Sequence, residues 1–182
     1  MGTARPAALA VLIVLASSSL PRADSFGDLN EIAATGAPAS IADGATYYYL
    51  DPEGVFMQVN AGTNGFWCIA PSLALRGPRV PMCGDAVALD WLRSWIEGRE
   101  PTPGAPGIIY ALAGGRDASV VNPLKAEPDG NLPWIETGPM MMIVNPTDAE
   151  LALYPSTFFP DTSMPYVMWP DTPFAHLRLP VE

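Results

Sequence analysis

The sequence predicts an α+β domain: one twisted antiparallel sheet, one main helix packed on it, and long loops rich in proline and glycine. Three observations lead there. Short β-prone runs alternate with strong turn signals. A single segment, Ala86–Glu97, repeats its apolar residues at three- and four-residue spacing. The 21 prolines and 16 glycines of the 182-residue chain are scattered rather than gathered in PxxP tracts, which marks turns and loops.

The chain opens on the layout of a secretory signal peptide. Arg5 supplies a positive start, Ala7–Ala16 is an apolar run too short to span a membrane, and Ser17–Ala23 offers small residues for cleavage. The leader is expected over residues 1–23, with the cut falling between 18 and 23. Residues 24–182 are then one exported domain, large enough to bury a real core. No cysteine follows the leader to take a lipid, and no later segment is long enough to cross a bilayer. From Asp24 onward seven Lys and Arg (the nine of the chain less Arg5 and Arg22) face 19 Asp and Glu, a net charge of −12. Such a surface repels nucleic acid and anionic membranes. It suits solubility, or a cationic partner.

Taken in order, Ser25 can cap a short helix, Phe26–Thr35, stopped by Gly36 and Pro38. Thr46–Leu50 and Val55–Val59 flank Asp51-Pro52-Glu53-Gly54, with proline second and glycine fourth, and read as a β-hairpin. Asn64-Gly65 is a second hairpin signal before Phe66–Ile69, so the expected start is a three-stranded antiparallel meander. Asp85 caps the main helix, Ala86–Glu97, whose Trp91 and Trp95 join Leu89, Leu92 and Ile96, and Gly98 ends it. Gly107–Ala113 and Met140–Val144 are strands. Gly114–Pro133 lacks an apolar pattern and is a long loop of the kind that often carries function. Asn145–Asp148 starts a short helix, Ala149–Leu153. Tyr166–Trp169 and Phe174–Leu179 close the sheet; in the last of these Phe174, His176 and Arg178 share one face.

Cys68 and Cys83 are the only cysteines. In an exported chain an even pair forms one disulfide. It closes a proline-rich loop of about 15 residues and contributes roughly 3 kcal/mol. The spacing is far from CxxC, and with one histidine no cysteine-rich zinc site can be built.

Gly62-Thr63-Asn64-Gly65-Phe66-Trp67-Cys68, Pro81-Met82-Cys83, Gly107-Ile108-Ile109-Tyr110, Gly114-Gly115-Arg116-Asp117-Ala118-Ser119, Met168-Trp169 and Thr172-Pro173-Phe174-Ala175-His176 resemble the local motifs of a family of exported bacterial "hypothetical" proteins. The resemblance covers most of the chain after the leader and implies no activity. It implies a histidine, in a Gly-Pro-His pattern, where Met140 stands here.

Complete catalytic motifs are missing. There is no GxSxG elbow, no P-loop lysine after Gly114-Gly115 and no haem-attachment motif. Most aspartates sit in turns, where the side chain suits local backbone bonding. His176 and Asp117 are the candidates for acid–base chemistry. Asn64, Tyr110, Asp117, Trp134, Trp169 and His176 are candidates for lining a ligand pocket, since such sites combine apolar walls with a few polar groups. Asp117-Ala118-Ser119 with Asn122, or Asp161-Thr162-Ser163, offers part of a calcium shell; otherwise no cofactor and no metal site is expected. The expected function is a non-catalytic binding or envelope-associated domain, periplasmic or extracellular, with a small ligand or an envelope protein as partner. The alternative is a small hydrolase using His176 with a loop aspartate.

Overall fold

Strands β1 (Thr46–Leu50) and β2 (Phe56–Gln58) form the predicted hairpin, with Tyr48 opposite Gln58 and Leu50 opposite Phe56. The turn closes as its sequence demands: Gly54 takes a φ of 91°, and the Asp51 carboxylate accepts from the Val55 amide at 2.8 Å. The computed structural model describes residue 1 and residues 23–72, 74–75, 79–117, 119–128 and 134–181. The expected leader lies outside the described residues apart from Met1 and Ala23, as do Ala118, Asp129 and Asn131 of the expected long loop.

The third strand does not continue a meander. β3 (Trp67–Ile69) leaves β2 and pairs with the far side of β1, parallel to it, with Thr46 opposite Trp67 and Tyr48 opposite Ile69. The physical cause is the loop of residues 59–65, which wraps the start of β1. The Val59 amide donates to the Tyr47 carbonyl and the Gly62 amide to the Thr46 hydroxyl, while the Thr63 amide donates to the Gly44 carbonyl at 2.7 Å. A Cβ on Gly62 would stand 2.3 Å from the Thr46 nitrogen, so only glycine permits this crossing. The Asn64 side chain completes the wrap by donating to the Ile41 carbonyl and accepting from the Phe66 amide.

From β3 the sheet is antiparallel. It passes through β4 (Met82–Gly84), β5 (Gly107–Ala111), β8 (Met140–Val144) and β10 (His176–Pro180) to β9 (Tyr166–Met168) at the edge. The eight-stranded order is β2-β1-β3-β4-β5-β8-β10-β9, and β6 (Gly115–Asp117) with β7 (Ile135–Thr137) forms a separate two-stranded ribbon. That ribbon arises within and beside the expected long loop.

The sheet is therefore mixed, and it carries helices on both faces. This corrects the expectation of an antiparallel sheet with one main helix. Helix α3 (Ala86–Glu97) is the predicted one. The Asp85 carboxylate accepts from the Ala88 amide at 2.8 Å and from the Ile108 amide at 2.9 Å, and Gly98 ends the helix at a φ of 71°. Its Trp91, Leu92 and Trp95 pack with Trp67, Ile69, Ile109, Met142 and Met168. Helix α1 (Ala23–Ala34) is equally long, 12 residues, and with the short helix α2 (Ala39–Ala42) it covers the opposite face. There Ala33, Ala37, Ala42, Tyr47 and the two cysteines form a second, smaller core. Small side chains make this layer thin: the Gly36 backbone lies so close to Pro81 that a Cβ would stand 2.8 Å from its carbonyl carbon. Alternation along β3 and β4 divides the two cores. Trp67, Ile69 and Met82 face α3, while Cys68 and Cys83 face α1. The fourth helix, α4 (Asp148–Leu151), is closed by a capping box between Thr147 and Glu150.

Cys68 and Cys83 are directly opposite each other on β3 and β4, with Cα atoms 4.1 Å apart, and form the expected disulfide. The crosslink thus spans neighbouring strands and closes the loop between them.

Candidate functional site

Period-two alternation on β10 turns His176 and Arg178 to the α3 face. β9 brings Tyr166 opposite Arg178, and the ribbon strand β6 delivers Asp117 from outside the main sheet. The four meet beneath a tryptophan layer. The Trp91 and Trp169 rings lie edge-on to the imidazole at 5.2 and 5.0 Å and stack on each other at 6.1 Å. Trp95 completes the layer, 5.2 Å from Trp169. Two of these rings also anchor the irregular segment beside β6. The Trp169 indole donates to the Ser119 carbonyl and the Trp95 indole to the Pro123 carbonyl, at 2.9 and 2.8 Å.

Inside this enclosure the charges are paired and sealed. Arg178 and Asp117 form an ion pair in which each side chain is 1 % exposed. Burial pushes the Asp117 carboxyl above its ordinary range, and the guanidinium pulls part of that shift back. Burial alone would pull the Arg178 guanidinium down, but Asp117 and Tyr166 outweigh it and hold the group charged. Burial also raises the Tyr166 phenol. The charge of the neighbouring Arg178 guanidinium pulls part of that shift back.

His176 is fully buried. Its Nδ1 lies 2.9 Å from the Phe174 carbonyl, and its Nε2 faces the Arg178 Nε at 3.4 Å. Because the guanidinium has only donors, Nε2 must be the unprotonated nitrogen and Nδ1–H donates to Phe174. Burial, with the Arg178 charge adding to it, pushes the imidazole down to about 3. The histidine is neutral over the ordinary pH range, and both ring nitrogens are engaged. Asp117 reaches Arg178, not His176, so the two acid–base candidates share a cluster without forming a dyad.

The other candidates fall elsewhere. Asn64 is exposed and serves the crossing loop. Tyr110 is on the α1 face of β5, 6.4 Å from Phe66. Trp169 is in the core layer just described. Ser119 and Asn122 accept from nearby backbone amides, as Asp161 does from Ser163, and Ala118 of the first partial calcium shell lies outside the described residues. Among the described residues no three His, Cys, Asp or Glu side chains come together as a metal site, and no helix is long and apolar enough to cross a membrane.

Trp134 alone of the candidates stands at an opening. A concavity of about 480 Å³ is walled by Arg79, Arg116, Trp134 and Glu136 with the backbone of Gly114 and Gly115. The Arg116 guanidinium lies over the Trp134 ring at 5.8 Å and contacts Glu136 at 3.3 Å. Arg116 and Asp117 are consecutive on β6. One therefore faces this opening while the other faces the core, by simple alternation. Arg79, Arg116, Glu136, Arg178, Tyr166 and Trp91 are not among the site residues that the sequence suggests. The available signals were the scarcity of cations in so acidic a chain and the shared face of Phe174, His176 and Arg178.

Fold and site together define a disulfide-linked α+β domain with a sealed polar cluster and an open cationic–aromatic concavity. The chain matches no protein-family model, no curated protein and no solved structure, so its own residues carry the functional argument.

Proposed function

We propose that this protein is an exported, non-catalytic binding domain whose ligand surface is the Arg79–Arg116–Trp134 concavity. The observation that carries the reading is a division of labour along β6 and β10. The side chains suited to proton transfer are sealed under tryptophans, while the opening on the other side of β6 carries two guanidinium groups and an indole. Arg79 has no ion-pair partner among the described residues, and in a chain with a net charge of −10 two arginines on one concavity are a local reversal of sign. A flat indole beside guanidinium groups suits a small ligand with a planar apolar part and a carboxylate or similar anionic group. The hydrolase alternative draws no support from His176, which is fully buried with both ring nitrogens engaged among the described residues.

Titration of the purified protein with benzoate, followed by indole fluorescence and amide NMR shifts, tests this. Saturable changes at Trp134 and at residues 114–116 are expected, weakened about tenfold in Arg116→Ala and absent with benzylamine. No saturable change with benzoate, or an equal response to benzylamine, overturns the assignment.

A further inference from the structure

Beyond that concavity, we infer that a second surface, a groove at the end of the sheet near α4, docks an extended basic peptide segment of a partner protein. Two concavities of about 470 and 360 Å³ adjoin, with Asp148, Leu151, Thr172 and Ala175 lining both, and together make up the groove. Its walls are mixed, with polar and acidic side chains alternating with apolar ones such as Leu151, Pro101, Pro146 and Pro173. Its charges are all of one sign: Glu100 at one end, Asp148 in the middle and Asp171 at the other, with no lysine or arginine in either wall. None of the three carboxylates makes an ion pair among the described residues.

The chemistry selects the occupant. Three dispersed carboxylates do not converge as a metal site, so one small cation cannot use them together. An extended chain with spaced lysine or arginine side chains can meet each in turn while its apolar residues lie on the proline and leucine walls. An acidic chain of this kind repels anionic lipid and nucleic acid. A protein partner, rather than a free polycation, is favoured by the neighbouring surface. Of the nine large hydrophobics exposed among the described residues, Leu153, Phe158, Phe159 and Met164 fall in one twelve-residue segment. This segment begins two residues after groove residue Leu151 and itself contains the groove residues Tyr154 and Ser156. Phe158 and Phe159 are 58 % and 70 % exposed, and clustered apolar exposure marks protein contact sites. The backbone is also unusual there. The three non-glycine residues with positive φ among the described residues are Asn145, Trp169 and Asp171. Two of them line the groove and the third directly precedes its Pro170.

The test is NMR titration of the purified protein, at low ionic strength, with a seven-residue capped peptide in which lysine alternates with a proline-leucine pair. Its counterpart with glutamate in place of lysine, and spermidine, serve as controls. Saturable shifts are expected for the lysine peptide at residues 100–104, 145–152 and 170–175, fading with added salt. The combined Glu100→Gln, Asp148→Asn and Asp171→Asn variant should lose about tenfold or more in affinity. Asparagine tolerates the left-handed backbone at 171, and an unchanged melting temperature confirms that the variant is folded. Arg116→Ala should bind the peptide normally, which separates this surface from the anion-binding reading. Absent or scattered shifts, undiminished binding by the triple variant, or spermidine binding as tightly as the peptide would each overturn the proposal.

Discussion

Asp117 of the β6–β7 ribbon and Arg178 of β10 meet as an ion pair with both side chains 1 % exposed, and through this contact the ribbon is fastened to the main sheet. Among the described residues, the Asp117 oxygens and Arg178 Nη1 have no other hydrogen-bond partner. The pair is a charge contact buried from solvent, where removing one member strands the charge of the other.

Asp117→Asn should therefore destabilise the protein by about 3–5 kcal/mol, since it strands a buried guanidinium. The double variant Asp117→Leu/Arg178→Met should cost clearly less than the sum of the single changes. Urea unfolding of the three variants measures both. Additive losses would mean that the two charges do not depend on each other.

His176 makes stability depend on pH. Its folded pKa is about 3 against an ordinary 6.5. As pH falls below 6.5 the unfolded chain takes up a proton that the folded protein refuses, so stability falls progressively toward pH 3, by at most ~5 kcal/mol. Asp117 has the opposite sign. Its raised pKa lets the folded protein bind a proton before the unfolded chain does, which offsets part of the loss at the acid end. The comparison is between the wild type and His176→Asn from pH 6.5 to about 4. The variant should lack the histidine-dependent slope. Equal slopes would mean that the imidazole is solvated.

Reduction of the Cys68–Cys83 bond, or the pair Cys68→Ala/Cys83→Ala, should cost roughly 3 kcal/mol, because the closed loop spans 15 residues. Thermal unfolding with and without reductant reads this. A melting temperature indifferent to reductant would contradict the crosslink's role in holding β3 to β4.

Gly62→Ala tests the crossing that sends β3 to the far side of β1. The added methyl would stand 2.3 Å from the Thr46 nitrogen and 2.4 Å from the Ala45 carbonyl carbon, both of them backbone atoms that cannot swing aside. A loss of about 3 kcal/mol or more is expected. Gly65→Ala differs: nothing lies within 4 Å, but its φ of 78° disfavours any side chain, so it should cost only about 1 kcal/mol. If the two substitutions prove equivalent, the wrapped loop is not as described.

Local chemistry alone determined a good part of this protein. β1 is Thr46–Leu50 as read, because its turn and β-prone residues are contiguous in the chain. Helix α3 begins and ends where Asp85 and Gly98 dictate, and the disulfide follows from there being two cysteines. The helix expected at Phe26–Thr35 is legible as an element, but its place as a second layer, on the face opposite α3, is set only by contact with the cysteine side of the sheet. The parallel β1–β3 pair is not legible, because Asn64-Gly65 signals a reversal of the chain without saying which strand edge the chain returns to. Tertiary structure decided the site. Of the six residues that the sequence offers for a ligand pocket, His176, Asp117 and Trp169 lie in one buried cluster with Arg178, while Asn64 and Tyr110 lie elsewhere. In the cluster, burial and the Arg178 charge hold the imidazole neutral, with both of its ring nitrogens engaged. Trp134, from the same set of candidates, is left at an open surface beside Arg116. One-residue alternation on β6 separates these two fates, and the side of the strand that faces the core is set by what packs against it.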